Sequence, residues 1–269
     1  MSTIVITGGS SGIGAAAARE LARRGHDLIV VGRDAGRTRS VAAECGGTAL
    51  LADFSRLDEV RGLADELARL PRIDVLANNA GGLMHRRELT VDGFERTLQL
   101  NHLAPYLLTR LLQPRLTASG ARVLHTASVA NLVAWRRFET LDWSDRRWGG
   151  GWRAYGTSKL VTILFARELA RRTGLESYSF HPGYVRTSFG AESPILRRFT
   201  NLVESAQISP ESGAAPLVQL ATADEVPGEN GGYFSQLQPE GRAQRRAKDP
   251  ELAARIWARS AELLHLPVD

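Results

Sequence analysis

A single cysteine in 269 residues, Cys45, rules out an intrachain disulfide and a cysteine-based metal cluster. That usage fits a reducing compartment, so the expected location is cytoplasmic. Cys45 ends a helical pattern and reads as a small packing residue. No apolar run reaches the roughly 18 residues of a membrane-spanning helix, so no transmembrane segment is expected. The first strand pattern begins almost at once, which leaves no room for a signal peptide before it. His85, His102, His125 and His181 lack the spacing of a metal site, and no metal is expected. The formal charge of +5 is carried mostly by arginine. There is no basic cluster interleaved with aromatics and no nucleic-acid-binding motif, so a nucleic-acid partner is not expected. The run from Arg242 to Lys248 reads as a solvated face. Repeats and linkers are also missing, so residues 1–269 are expected to form one domain.

The remaining composition, 43% hydrophobic and 23% charged, is that of an ordinary globular protein with a full core. Strand and helix patterns alternate. Strands are expected at 3–7, 27–31, 48–52, 73–77, 121–126, 175–180 and 232–235. Helices are expected at 12–24, 35–44, 56–70, 91–100, 102–116, 152–172, 210–221 and 249–264, with Pro105 bending or restarting the fifth. The strand at 27–31 is continuously apolar, as in a parallel sheet buried on both faces. The alternation implies an α/β fold, a doubly wound parallel sheet with helices on both faces. Two stretches interrupt it, 131–151 and 188–209. Both follow carboxyl ends of strands, where such sheets bind ligands, and both are expected on the substrate side.

The run Thr7-Gly8-Gly9-Ser10-Ser11-Gly12-Ile13-Gly14 joins the first strand to the first helix. Gly8 allows a tight turn off the strand, Gly12 allows close approach of a pyrophosphate, and Gly14 lets the helix pack closely. The helix N-terminus then faces the anion. Tyr155 and Lys159 are four apart on a predicted helix and share a face. Ser128 follows the fifth strand. Asn101 begins a helix, Asn78-Asn79-Ala80-Gly81 follows the fourth strand, and Pro182-Gly183-Tyr184-Val185-Arg186-Thr187 follows the sixth. All fall on one edge of the expected sheet.

With these motifs in this order, the chain resembles the short-chain dehydrogenase/reductase family over essentially its whole length. Within it, the chain is most similar to the retinol-dehydrogenase-like branch. The shared features are Asn101-His102-Leu103, the long gap between Ser128 and Tyr155, the run Tyr155-Gly-Thr-Ser-Lys159, and an ending with Tyr233-Phe234-Ser235, Lys248-Asp249 and Trp257. The resemblance implies a Rossmann fold and hydride transfer between a nicotinamide cofactor and an alcohol/carbonyl pair. Ser128 would hydrogen-bond the carbonyl oxygen. Tyr155 would donate the proton in reduction, its pKa lowered by Lys159, which would also bind the nicotinamide ribose. Asn101 would hold a water in a proton relay to that lysine. Asp53 would contact adenine with Phe54 alongside. Asn79, Ala80 and Gly81 would shape the adenosine ribose side and brace the sheet. Pro182, Gly183, Val185 and Thr187 would contact the nicotinamide amide. A homodimer through the two helices carrying Asn101 and Tyr155 would match many relatives.

The cofactor choice rests on Val31-Gly32-Arg33-Asp34. NAD sites place an acid there, about 20 residues past the glycines. Arg33 instead suits a 2′-phosphate, with Ser10 and Ser11 adding hydroxyls, while Asp34 sits where a helix N-cap belongs. The expected cofactor is therefore NADP(H). Trp135, Trp143, Trp148, Phe189 and Phe199 suggest an apolar or aromatic small-molecule substrate, with the tryptophan loop as a pocket wall, 194–199 as an amphipathic lid, and His85 within reach of substrate. A ketoreductase of secondary metabolism is favoured. A reductase of retinal-like lipophilic aldehydes is the alternative enzyme, and a non-catalytic NADP(H)-sensing protein the alternative of another class.

Overall fold

The structure is a computed structural model that describes residues 1–184 and 208–268. Seven parallel strands form one sheet: β1 (Thr3–Thr7), β2 (Asp27–Gly32), β3 (Thr48–Leu51), β4 (Val75–Asn78), β5 (Arg122–Thr126), β6 (Glu176–His181) and β7 (Tyr233–Ser235). Their order is β3-β2-β1-β4-β5-β6-β7. The chain therefore winds outward from β1 in one direction, then restarts at β4 and winds in the other. Between β1 and β4 the successive connections leave in opposite directions, which opens a crevice at their carboxyl ends. Ile4, Val5 and Ile6 of β1 are fully buried, as expected of a central strand covered on both faces.

Helices α1 (Gly12–Arg23), α2 (Ala35–Glu44) and α7 (Pro210–Thr222) cover one face. Helices α3 (Leu57–Ala68), α5 (Ala104–Ser119) and α6 (Trp152–Thr173) cover the other. This is the Rossmann arrangement, and most expected boundaries agree within two residues.

One expected helix does not form as read. Residues 91–95 make a turn bridged between Leu89 and Glu95, because Gly93 takes φ +82°. The short α4 (Arg96–Leu98) starts only at Arg96, capped by the Glu95 carboxylate on the Thr97 and Leu98 N–H groups at 2.7 and 3.0 Å. A π-helical turn, Gln99–Leu103, then leads into α5, whose first turn contains Pro105. Proline lacks an N–H, which costs least in a first turn.

The last helix, α8 (Pro250–Leu263), packs across the outer sides of α5 and α6. Trp257 of α8 is 2% exposed. It meets Tyr106 edge-on at 5.2 Å and lies between the guanidinium groups of Arg110 and Arg172, at 4.7 and 5.2 Å. Tyr106 Oη donates to the Trp257 carbonyl, and His102 Nε2 meets Ser260 Oγ at 2.6 Å. Part of the α5–α6 face that the resemblance implied for a homodimer is thus covered by α8. The 242–248 run also differs in part from expectation. Arg242, Arg245 and Lys248 are exposed as expected, while Ala247 is 1% exposed and Arg246 pairs with Glu139, so the segment is docked on one side and solvated on the other. No helix among the described residues is long and apolar enough to cross a membrane.

Candidate active site

The glycine loop closes over the β1–β4 crevice. Gly8 and Gly12 have φ +64° and +52°, which side chains disfavour. A Cβ on Gly8 would lie 2.9 Å from Ala80 Cα. One on Gly14 would lie 2.3 Å from the Gly8 carbonyl oxygen. Gly14 thus presses α1 against the loop and not only against the strand. Ser11 occupies the N-cap position of α1 without a side-chain cap bond, and the first turn holds no acidic residue. Its leading N–H groups can therefore meet an external anion, which fits a pyrophosphate. Ile13 packs at the rim of the core.

The end of β2 supplies a cation. Arg33 is exposed. Ser10 Oγ lies 2.9 Å from the place a Cβ would take on Gly32, so the serine and Arg33 flank the same strand end. Asp34 is the N-cap of α2. Its carboxylate accepts from the Arg37 N–H at 2.9 Å, pairs with the Arg37 guanidinium at 3.3 Å, and is held below the usual carboxylate range by these bonds. Asp53 accepts from the N–H and hydroxyl of Ser55 at 2.9 and 2.8 Å. Phe54 is 6% exposed and packs in the core.

Asn79 ties the crevice together. Its amide donates to the Thr7 and Gly8 carbonyls at 3.1 and 3.3 Å and accepts from Thr126 Oγ1 at 3.1 Å. Thr7 Oγ1 accepts from the Asn79 and Ala80 N–H groups at 3.0 and 3.1 Å. The bracing role expected of Asn79 and Ala80 is thereby visible. Asn78 turns the other way, toward Thr109 and His125.

Tyr155 and Lys159 share one face of α6 beside the end of β5. Lys159 Nζ donates to the Thr126 carbonyl at 2.7 Å and stands 5.5 Å from the Tyr155 ring centroid. The chain holds two lysines, Lys159 and Lys248, among 34 basic residues. A buried lysine is a compact, titratable point charge, which arginine is not. Burial lowers Lys159 to about 8 and raises Tyr155 to about 12, with a hydrogen bond to Ser128 as the opposing influence on the tyrosine. With burial raising it, the phenol keeps its proton at neutral pH. Ser128 is the N-cap of a 3₁₀ turn, Val129–Val133, and accepts from the Ala130 N–H at 3.2 Å.

Asn101 sits in the π-helical turn, a device that re-aims a helical residue. Its amide is fully engaged: it accepts from Gly82 N at 2.8 Å and donates to the Gly82 carbonyl and Ser158 Oγ, both at 2.9 Å. It clamps the loop beside Lys159. A Cβ on Gly81 would lie 2.6 Å from Asn101 Oδ1 and 3.5 Å from Lys159 Nζ. Pro182 and Gly183 follow β6, Gly183 with φ +97° and with Gln236 where a side chain would go. Val185, Thr187, Phe189, Phe199 and the proposed lid at 194–199 lie outside the described residues, as does nearly all of 188–209.

The tryptophan loop divides. Trp135 and Trp143 are 6% and 1% exposed, stacked edge-on at 5.3 Å, and belong to the core. They cover it and do not wall a pocket. Trp148 is half-buried, and its indole donates to the Met84 carbonyl at 3.1 Å. The aromatic that sequence reasoning passed over is Trp152. It is 39% exposed, with its ring 6.3 Å from that of Tyr155 and nearly perpendicular to it. Its signal was positional: it lies one helical turn before Tyr155. Leu83 and Ala130 complete a small apolar cluster around Tyr155. His85 is half-buried, with Nε2 shielded and unpaired among the described residues.

Comparison with known proteins agrees with this geometry. The family model described as short chain dehydrogenase matches residues 2–140. The chain is 42% identical to a Streptomyces sp. (strain C5) protein assigned as a daunorubicin C-13 ketoreductase, covering 96% of this chain and 91% of that one. It is 35% identical to Homo sapiens retinol dehydrogenase 13, covering 98% and 85%. Among solved structures, one of an uncharacterised Mycobacterium Paratuberculosis protein superposes with TM-score 0.80 at 34% identity, covering 100% and 95%. A Sphingobium yanoikuyae short-chain dehydrogenase in complex with NADPH gives TM-score 0.65 at 28% identity, covering 81% and 84%. The chain belongs to the short-chain dehydrogenase family of oxidoreductases, in its retinol-dehydrogenase-like branch.

Proposed function

We propose that this protein is an NADP(H)-dependent reductase of an apolar or aromatic ketone. The observation that carries the reading is the placement of Tyr155, buried on α6 against the turn that Ser128 caps, with the Lys159 ammonium 5.5 Å from its ring centroid; burial raises the phenol, so it keeps its proton at neutral pH. A group in that state is a proton donor at neutral pH. NADPH, when bound, supplies the hydride. Ser128 and Tyr155 then orient the substrate oxygen, and the Tyr155 proton passes to that oxygen as negative charge develops on it. The Lys159 ammonium stabilises the tyrosinate left behind. It carries its charge below about pH 8, so reduction is expected to fall as pH rises through that value. In the opposite direction Tyr155 must first lose its proton, so alcohol oxidation should rise with pH. The exposed face of Trp152 and the Leu83 side chain give the mouth an apolar, aromatic lining.

The relative assigned as a ketoreductase favours a ketone, and the relatives named retinol dehydrogenases keep a lipophilic aldehyde as the second reading. NADPH consumption against a panel of aromatic ketones and retinal-like aldehydes separates the two. Turnover with the ketones is expected. Turnover confined to the aldehydes would replace the first reading with the second, and consumption with neither class would favour an NADP(H)-sensing binding protein.

The preference for NADP(H) is supported by Arg33 at the end of β2 and by the engagement of Asp34 with its own helix. The complex of a structural neighbour with NADPH agrees. Arg33→Ala is expected to weaken NADPH binding by about 1.5–3 kcal/mol, the usual worth of a charged hydrogen bond, and to leave NADH unchanged. Fluorescence titration of both cofactors reads this directly. An equal loss for both, or none for NADPH, would contradict the assignment.

A further inference from the structure

Asn131 has no role so far, yet it is fully buried behind Ser128. Its amide nitrogen donates to the Ser128 carbonyl at 2.8 Å. Its amide oxygen accepts from the Gln244 N–H at 2.8 Å. One amide thus joins the turn after β5 to the segment at 244.

The opposite side of that turn is pressed onto α6. A Cβ on Gly156, next to Tyr155, would lie 2.3 Å from the Ala130 carbonyl oxygen. Ser128 is therefore held between α6 on one side and Asn131 on the other. The segment carrying Gln244 is itself clasped to the 131–151 insertion. Arg246 pairs with Glu139, donates to the Arg136 carbonyl, and stands 4.9 Å from the Phe138 ring centroid.

A serine hydroxyl turns about one torsion. Where its backbone sits therefore decides what the oxygen can reach. A buried amide with its partners in place resists displacement, because each lost bond leaves a desolvated polar group. We propose that Asn131 is a positioning residue, which sets the Ser128 hydroxyl against the Tyr155 phenol, and that residues 241–248 form the outer support of the catalytic turn. This rests on the reading of Ser128 and Tyr155 as the catalytic pair.

The test uses the whole chain and steady-state kinetics in both directions. Asn131→Ala is expected to lower kcat by about 10–100-fold, as loss of outer-shell support does elsewhere, with KM for NADPH unchanged. The Ser128 hydrogen bond favours ionisation of Tyr155. Loosening it should move the alkaline limb of alcohol oxidation to higher pH. In a Ser128→Ala background the same substitution should cost less than about twofold, because it acts through that serine.

A second variant covers the case in which Asn131→Ala fails to fold. Gln244 has φ −60° and ψ 143°, angles that proline adopts. Gln244→Pro deletes the N–H that Asn131 accepts and should change kcat and the pH limb in the same direction. Wild-type kcat and pH limb in the folded variant, or full additivity with Ser128→Ala, would overturn the proposal. Tyr155→Phe, assayed alongside, separates the two failures. If it is inactive while Asn131→Ala is wild type, the positioning role alone is wrong. If Tyr155→Phe itself turns over, the catalytic reading underneath is wrong.

Discussion

Tyr155→Phe is expected to lose about 10²–10⁴-fold in NADPH-dependent ketone reduction, the range that a positioned proton donor contributes. Cofactor affinity should stay within about twofold, because the hydrogen bonds holding the crevice belong to Asn79, Thr7 and Thr126 and not to the phenol. The ring is 8% exposed and packed with Leu83 and Ala130, so phenylalanine fills the same space. The variant removes one oxygen and little else. Stopped-flow or steady-state turnover, paired with NADPH fluorescence titration, reads both quantities. Retention of more than about a tenth of the wild-type rate would mean that the proton comes from elsewhere, against the magnitude expected of general-acid catalysis.

The second large effect is on stability in acid. His102 and His125 are each 1% exposed, and burial pushes both down to about 3. His181, 7% exposed, is pushed to about 4. In the unfolded chain each titrates near 6.5. Between those values the unfolded chain binds the extra protons, so folding is favoured fully above about pH 6.5 and weakens as pH falls through the window. Each histidine removes about 1.4 kcal/mol per pH unit there, so three together remove about 4. A domain with a typical stability of about 5–15 kcal/mol should then unfold between about pH 5 and pH 3. A proton on His125 would also repel His102 and the Lys159 ammonium. Glu95 acts in the opposite sense, since burial raises its carboxyl, and it offsets part of the loss. Urea unfolding followed at several pH values measures the slope. A midpoint unchanged from pH 7 to pH 4.5 would show that these histidines are not buried as neutral groups. His125→Asn should flatten the acid slope even if it lowers stability at neutral pH.

Much of the architecture was legible in the residue order. Short continuous apolar runs such as Leu28–Val31 read as strands covered on both faces, and their alternation with amphipathic helices leaves a doubly wound sheet as the consistent answer. Local chemistry also read correctly at Asp34, because caps depend on neighbours a few residues away. The reading failed where local pattern and backbone conformation disagreed. Residues 91–95 have helical periodicity, but Gly93 in the left-handed region and the use of Asp92 by Leu57 N–H and Gln99 keep them in a turn.

The sequence by itself determined the fold class and the juxtaposition of the glycine loop, Ser128, Tyr155 and Lys159, which are set by spacing along strands and helices; the family followed from the resemblance those motifs carry. Tertiary structure decided what each group experiences. Trp135 and Trp143 went to the core while Trp152 faced the catalytic tyrosine, since burial depends on what packs against a loop. Burial raises the Tyr155 phenol, since the dielectric around it is a property of the packed site. Part of the α5–α6 face went to α8 and the Asn131 amide to Gln244, contacts that join residues far apart in the chain and leave no mark on local pattern.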